Sequence, residues 1–285
     1  MMTLAVSRAE RLAADRPSGP SSPNPMIVNH GASPIAHNLL VLGGTTEATA
    51  LCQRLAEDGV TGTVSFAGRV KRPVRQPLPQ RVGGFGGVEG LAEFLRAEGI
   101  SHVIDATHPF AAQMSAHAVD ACAQTHIPLI ALTRPPWHAE GADQWTNVPD
   151  IAAAVQALKG PSKRIMLAVG RMHLAEFAPN PQHFYLLRLV DPPAFELPFP
   201  RHAVVVDRGP FSIDADLDLM KAHDIDLVVS KNSGGVGAYA KIAAARRLGL
   251  PVFMIDRPSI PRRLEAHSVN AVMDWLPHAL TDRGV

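Results

Sequence analysis

Two kinds of segment alternate along the chain from Asn38 onward. Short, continuous apolar runs such as 39–42 and 102–105 predict buried strands. Between them, segments such as 47–58 and 88–98 carry apolar residues at helical spacing and end at a glycine, which predicts helices. Continuous apolar strands separated by helices are typical of parallel sheets covered on both faces. The pattern therefore predicts an α/β protein.

The same alternation continues along the rest of the chain. Further strands are predicted at 63–66, 128–132, 164–168, 184–190, 203–206, 226–229 and 251–255. Further helices are predicted at 110–124, 150–158, 172–177, 213–222, 236–247 and 268–280.

An internal repeat indicates two similar halves. Residues 99–135 and 224–258 both run through a strand, a polar loop, a helix, a proline after Ile or Leu, a strand and an Arg-Pro pair. Any two βαβ units share much of this order, so the simpler explanation stays open. We interpret the chain as two Rossmann-like parallel-sheet domains with an interdomain cleft. Ligands of such sheets bind beyond the carboxyl ends of the strands.

Composition sets the expected boundaries. Residues 1–37 are rich in proline and serine and lack periodicity, which predicts a disordered extension. Removal of residues 1–36 is expected to leave folding and turnover essentially unchanged. The first domain is predicted over 38–134 and the second over 150–285. The Pro- and Trp-containing stretch 135–149 is predicted to be the linker.

Charge and cysteine content exclude several classes of protein. The 285-residue chain carries 27 Lys and Arg against 26 Asp and Glu, so bulk charge gives no support to a nucleic-acid partner. No apolar run reaches the roughly 20 residues that cross a bilayer. Cys52 and Cys122 lack metal-ligand spacing and are typical of a reducing compartment. We expect a cytoplasmic monomer without a metal, a membrane or a nucleic-acid partner.

The first strand–helix turn is typical of a nucleotide-binding turn. It contains Gly43, Gly44, Thr45, Thr46 and Glu47. The glycines permit a tight turn and a close approach of backbone to a pyrophosphate at the helix N-terminus, and the threonines add hydroxyl groups. Because the order is not G-x-G-x-x-G, a strand turn without a ligand stays an alternative.

The end of the second strand distinguishes the two nicotinamide dinucleotides. NAD-binding units place Asp or Glu about 20 residues after the glycines, whereas this chain has Gly68 and Arg69 and no carboxylate there. A guanidinium binds a 2′-phosphate, so the sequence favours NADPH, with a solvated loop arginine as the alternative.

A second glycine-rich run follows, Arg81 to Gly87, with a single aromatic residue in it. Its central residues Gly84, Phe85 and Gly86 are predicted to let backbone pass against a flat ligand or close over it. A flexible surface turn is the alternative.

Taken together, these motifs resemble one family. The run GGTTEA after the first strand, then AGR, GGFGG, DATHPFA, RPPW and KNSGG, looks like precorrin-6A reductase from about residue 38 to 258. The resemblance implies NADPH-dependent reduction of one C=C bond of the precorrin-6A macrocycle to give precorrin-6B in cobalamin biosynthesis. It also implies two Rossmann-like domains with the tetrapyrrole between them, NADPH on the first. An anaerobic counterpart reduces the cobalt-containing ring.

Candidate catalytic residues lie at the carboxyl end of the strand at 102–105 and directly after it. Asp105, Thr107 and His108 would lie beside the nicotinamide, where Asp105 or His108 could act as an acid or orient the substrate. The alternative for Asp105 is a helix cap ahead of Pro109.

Substrate carboxylates require cations and free backbone amides. The second-half loop before the helix at 236–247 offers both, and its residues are Lys231, Asn232, Ser233, Gly234 and Gly235. Arg171 and Arg188 are weaker candidates, with surface exposure as the alternative.

Two other functions remain as alternatives. Short-chain reductases need Tyr-x-x-x-Lys, but Leu189 and Ala243 stand four residues after the two tyrosines, Tyr185 and Tyr239. A non-catalytic NADP-sensing module would need no second cationic cleft, so the Lys231 loop argues against it.

Overall fold

The computed structural model describes residues 37–67, 75–207, 209 and 211–278. Its strands are β1 (Asn38–Leu42), β2 (Thr61–Phe66), β3 (Gln80–Val82), β4 (His102–Asp105), β5 (Leu129–Leu132), β6 (Gln144–Val148), β7 (Arg164–Ala168), β8 (Phe184–Leu189), β9 (His202–Val206), β10 (Leu227–Lys231), β11 (Pro251–Ile255) and β12 (Leu264–Ala266). Its helices are α1 (Thr46–Glu57), α2 (Gly87–Ala97), α3 (Ala112–Thr125), α4 (Ile151–Ala157), α5 (Ile213–Ala222), α6 (Ala240–Leu248) and α7 (Val269–His278), with a 3-10 helix at Arg171–Phe177. Residues 1–36, the bulk of the predicted extension, lie outside the described residues.

The first sheet has the strand order β12-β5-β4-β1-β2-β3, and all its pairs are parallel. Successive residues of β1 face opposite sides. Leu39 and Val41 pack with the apolar residues of α1 and α7, whereas Leu40 and Leu42 pack with those of α2 and α3. Both faces are thus buried, which explains the continuous apolar strand.

The second sheet has the order β6-β11-β10-β7-β8-β9 and is also parallel throughout. On one face, Ile165 and Leu167 pack with α4 and the 3-10 helix. On the other face, Met166 packs with apolar residues of α5 and α6. The predicted fold class, two Rossmann-like parallel sheets, is confirmed.

The carboxyl-terminal part of the chain requires a correction. Residues 264–278 were assigned to the second half, but β12 pairs with β5 of the first sheet, with Leu264 opposite Ile130. Helix α7 follows it, and Val272 and Leu276 are buried in the core of that same sheet. The partner of a parallel strand is distant in sequence. The sequence pattern therefore predicted the last helix but could not show which sheet it packs against.

The predicted linker also differs from the structure. Residues 144–148 of the stretch 135–149 form β6, an edge strand whose Val148 pairs with Ile255. In this strand only Val148 is buried and Trp145 is half-buried, so it lacks the apolar run that marks the central strands. Helix α6 begins at Ala240 rather than at residue 236. Within the described ranges, no helix is long and apolar enough to cross a membrane.

Candidate active site

The loops after β1 and β4 meet where the strand order of the first sheet reverses. The chain leaves β1 towards β2 and leaves β4 towards β5, so the two loops diverge around one crevice. Thr45 joins them, because its hydroxyl donates to the carbonyl of Ala106 at 2.9 Å and accepts from the amide of Ala48 at 3.1 Å. Thr45 therefore caps α1 and joins the two loops of the crevice. Its hydroxyl, which the sequence suggested as a ligand contact, is already hydrogen-bonded within the protein.

The two glycines of this turn serve different purposes. A Cβ at Gly43 would lie 2.9 Å from a methyl group of Val64, so the fold itself requires glycine there. Gly44 has φ +131° and open space around its Cα. Both Gly44 and Thr46 are exposed. Gly44 is thus the point at which a ligand can approach the backbone closely.

Arg81 organises the glycine-rich run. Its guanidinium donates to the carbonyls of Gly83 and Gly84 at 3.1 and 3.0 Å and to the Ser65 hydroxyl at 2.8 Å. It also lies 3.9 Å from the ring centroid of Phe85. This places a cation at the end of β2, where a dinucleotide ribose would lie. Gly68 and Arg69, the predicted 2′-phosphate site, lie outside the described residues.

Asp105 is buried and its carboxylate is fully engaged. One oxygen accepts from the amide and the hydroxyl of Thr107 at 3.1 and 2.7 Å. The other accepts from the Ser115 hydroxyl at 2.6 Å and forms an ion pair with Arg263, the residue before β12. Asp105 therefore fixes Thr107, α3 and the returning chain in place, in addition to ending β4.

His108 is held in one tautomer. The amide of Phe110 donates to Nδ1 at 3.2 Å, so the neutral ring carries its proton on Nε2. Burial, together with the nearby charges of Arg134, Lys231 and Arg257, lowers the pKa of His108 to about 3. At neutral pH the imidazole is thus an uncharged hydrogen-bond donor.

The loop after β10 is fixed by the segment that enters the second half. The side chain of Asn232 accepts from the Trp137 amide at 2.8 Å and donates to the Trp137 carbonyl at 2.9 Å. A Cβ at Gly234 would lie 2.2 Å from the Pro135 carbonyl oxygen, and one at Gly235 would lie 2.4 Å from Arg134. These three residues build the loop, and Lys231 and Ser233 are left to line the space beside it.

Two arginines connect the loops of the two sheets. Arg134 contacts Glu47 of α1 at 3.3 Å, and its guanidinium donates to the Gly234 carbonyl at 3.5 Å. Arg257 donates to the carbonyls of Arg134 and Asn232 at 2.8 and 3.0 Å. The predicted cofactor turn and the predicted substrate loop are thereby held at a fixed separation.

A cavity of about 420 Å³ opens at the carboxyl edge of the second sheet, where the strand order reverses between β7 and β10. The first-half residues His108, Phe110 and Ala111 form one wall. The basic side chains in its lining are Arg171, Arg188, Lys231 and Lys241. We call this space the cationic cavity. Its position beyond the strand ends is where ligands of open parallel sheets bind.

A family model, precorrin-6x reductase CbiJ/CobK, matches residues 38–277 of the chain. The chain belongs to this family. Membership makes it an oxidoreductase that uses a nicotinamide cofactor, and it agrees with the resemblance seen in the motifs.

Relatives in this family match almost the whole described chain. The precorrin-6A reductase of Rhodobacter capsulatus is 56% identical over 87% of this chain and 99% of its own length. That of Mycobacterium tuberculosis is 41% identical over 84% of this chain and 96% of its own. The cobalt-precorrin-6A reductase of Priestia megaterium is 30% identical over 86% and 98%. A solved structure described as CobK precorrin-6A reductase superposes with a TM-score of 0.82, at 56% identity, over 85% of this chain and 97% of that one.

The structure brings several of the predicted site residues together at the cationic cavity. Lys231 lies 4.9 Å from the ring centroid of Phe110, so the second-half loop meets the loop that carries His108. Arg188 lies in the same cavity, where it pairs with the buried Asp216 at 2.7 Å.

Sequence reasoning missed Arg81 and Lys241 as site residues. Arg81 begins the glycine-rich run, and its place two residues before Gly83 was the available signal. Lys241 falls within the helix predicted at 236–247, and no local pattern distinguishes a buried lysine from an exposed one.

Proposed function

We propose that this chain reduces one C=C bond of precorrin-6A with NADPH to give precorrin-6B, in the cytoplasm, as a step of cobalamin biosynthesis. The observation that carries the proposal is the cationic cavity, in which basic side chains of the second sheet face His108 and Phe110 of the first. A tetrapyrrole with acetate and propionate groups matches such a lining, because guanidinium and ammonium groups form charge-assisted bonds with carboxylates. The relatives that are 41–56% identical are named for the metal-free substrate, which favours it over the cobalt form.

NADPH is favoured over NADH by the end of β2. Ser65, Phe66 and Ala67 stand there, without the carboxylate that binds a ribose 2′-hydroxyl in NAD enzymes. The Arg81 guanidinium lies within 2.8 Å of the Ser65 hydroxyl, so a 2′-phosphate would meet a cation. Arg69 was proposed from the sequence for the same contact and remains a candidate.

Residues of the first sheet are assigned to the cofactor, and residues of the loop after β10 are assigned to the substrate. Gly44, Thr46 and the Gly84–Gly86 run would hold the cofactor on the first sheet. NADPH supplies a hydride when bound. His108 would donate a neutral hydrogen bond from Nε2 and orient the ring, whereas Asp105 and Thr107 position that loop. Lys231 and Ser233 would hold substrate carboxylates, and Asn232, Gly234 and Gly235 shape their loop.

Mixing the protein with NADPH and precorrin-6A, and following NADPH absorbance, tests the activity directly. We expect oxidation of one NADPH for each precorrin and much slower oxidation of NADH. A protein that binds NADPH tightly but leaves it unoxidised with both the metal-free and the cobalt-containing substrate would instead be the non-catalytic NADP-sensing module.

The division of work between the sheets is tested by Lys231→Ala. We expect the KM for precorrin-6A to rise about ten- to a hundredfold, the cost of one charge-assisted contact, with NADPH affinity nearly unchanged. Lys221→Ala, which removes an exposed lysine of α5, is the matched control. Loss of NADPH binding in Lys231→Ala, with substrate still bound, would assign this loop to the cofactor.

A further inference from the structure

Lys241 is a buried lysine in the wall of the cationic cavity. It lies in the first turn of α6 and only 7% of it is exposed. Its Nζ donates to the Ala238 carbonyl at 2.6 Å and lies 5.0 Å from the ring centroid of Trp137. Burying an ammonium group costs free energy unless a counter-charge compensates it, so this position needs an explanation.

No carboxylate among the described residues lies within ion-pair distance of Lys241. The nearby buried carboxylate, Asp216, contacts Arg188 at 2.7 Å instead. The other charged or titratable groups around Lys241 and along the same cavity are Arg134, Arg171, Arg188, Lys231, His108, His173 and Asp207. Burial, together with the charges of Arg188 and Arg134 and against the opposing charge of Asp216, lowers the pKa of Lys241 to about 7. The ammonium is therefore poised to lose a proton near neutral pH.

The other two candidates for an acid are unsuited to that task. His108 is uncharged at neutral pH, and its Nε2 proton is the only one the ring carries. Both oxygens of Asp105 are taken up by Thr107, Ser115 and Arg263, so its carboxylate is already committed to contacts within the protein. Reduction of a conjugated C=C bond nevertheless requires a proton as well as a hydride.

We propose that Lys241 donates this proton to the substrate from the wall of the cationic cavity. The proposal rests on the function proposed above. The hydride of NADPH forms a C–H bond at one carbon of the double bond and leaves NADP⁺. The electron pair of the π bond takes a proton from the Lys241 ammonium at the other carbon or through a ring nitrogen, which leaves a neutral amine. Water then protonates the amine again, so atoms and charges balance.

Two substitutions separate proton donation from charge. Lys241→Met removes the group, whereas Lys241→Arg keeps a positive charge that does not release a proton at neutral pH. We expect the single-turnover rate of NADPH oxidation to fall about 100-fold or more in both variants, the range for loss of a general acid. NADPH affinity should stay within about threefold of the parent, and Lys221→Ala should behave like the parent. Recovery of the rate by Lys241→Arg would show that only the charge matters and would overturn the proposal.

The pH profile provides a second test. A general acid must be protonated, so kcat/KM of the parent should be level below a pH of about 7 and fall tenfold per pH unit above it. This fall should disappear in Lys241→Met, and the parent should show a solvent deuterium isotope effect that the variant lacks. An unchanged pH profile in Lys241→Met would overturn the proposal.

The titration can also be measured without turnover. With lysines labelled with ¹³C at Cε, the resonance that disappears in Lys241→Met should titrate near pH 7 in the folded parent. Titration above pH 9 would overturn the role of Lys241 even if the parent reduces precorrin-6A. A parent that shows this titration but does not oxidise NADPH with precorrin-6A would overturn the proposed function, and the donor role with it.

Discussion

Burial decides which polar residues of the site can exchange protons. Asp105 ends β4 and His108 follows it, as the sequence predicted, but their surroundings differ. The carboxylate is saturated by Thr107, Ser115 and Arg263, whereas the imidazole is kept neutral by burial and by nearby cations. The sequence could locate these residues at a strand end. It could not show the groups that surround them, because Arg263 and Lys231 are distant along the chain.

The neutral His108 predicts a pH-dependent stability. Its pKa is about 3 in the folded protein and roughly 6.5 when unfolded, so below pH 6.5 the unfolded chain binds the extra proton. This contribution to the free energy of unfolding is complete above pH 6.5 and is lost as pH falls, by up to about 1.4 kcal/mol per pH unit. Denaturant unfolding between pH 7.5 and 4.5 should therefore be less pH-dependent in His108→Gln than in the parent, by about 2–3 kcal/mol over the range.

The exposed His138 provides the matched control for that measurement, His138→Gln. If the parent and His108→Gln lose stability in parallel on acidification, the imidazole is not held in its neutral form.

At the scale of elements, the central strands were predictable, whereas of the four edge strands only β9 was. Strands such as β4 and β11 match the predicted ranges because both of their faces are buried, which leaves a continuous apolar run. Strands β3 and β6 lie at sheet edges, where exposed residues interrupt the pattern. The glycine-rich loops were found as motifs. The motif does not show whether a glycine is required by the fold or leaves room for a ligand. That depends on which atoms a Cβ at its position would contact.

A pair of glycine substitutions tests this distinction. Gly234 has φ +69° and a Cβ there would lie 2.2 Å from the Pro135 carbonyl oxygen, so Gly234→Ala should lower the free energy of unfolding by about 2 kcal/mol or more. Gly84 has open space around its Cα, so Gly84→Ala should change stability by less than about 0.5 kcal/mol. Because the proposed cofactor passes close to that loop, Gly84→Ala should weaken NADPH binding about tenfold, or about 1.4 kcal/mol.

Denaturant unfolding gives the free energy of unfolding of each variant, and titration with NADPH gives the affinity of each for the cofactor. Unchanged NADPH affinity in Gly84→Ala would remove the glycine-rich run from the cofactor site. Unchanged stability in Gly234→Ala would mean that the loop after β10 can move away from Pro135.

At the scale of the whole molecule, the chain folds back on itself. It builds most of the first sheet, then the second, and returns to add β12 and α7 to the first. The two halves were predictable from the internal repeat, but this return was not, because β12 is short and its pairing with β5 spans over a hundred residues. The ion pair between Arg263 and Asp105 links the returning segment directly to the loop of the candidate site.

The return predicts that the first half cannot fold without the end of the chain. Ala266, Val272 and Leu276 are at most 5% exposed and cover the core beside Ile130 and Leu132 of β5. Residues 37–134 alone would expose this apolar surface, at a cost of about 25 cal/mol for each Å² left in water. We expect that fragment to bind hydrophobic dyes and to lack a cooperative thermal transition.

Joining it through a flexible Gly-Ser linker to residues 259–278 should restore the transition, and Val272→Asp in the joined protein should abolish it again. If 37–134 alone melts cooperatively at the temperature of the joined protein, β12 and α7 are additions to a half that is already stable, and the Arg263–Asp105 contact then serves the site rather than the fold.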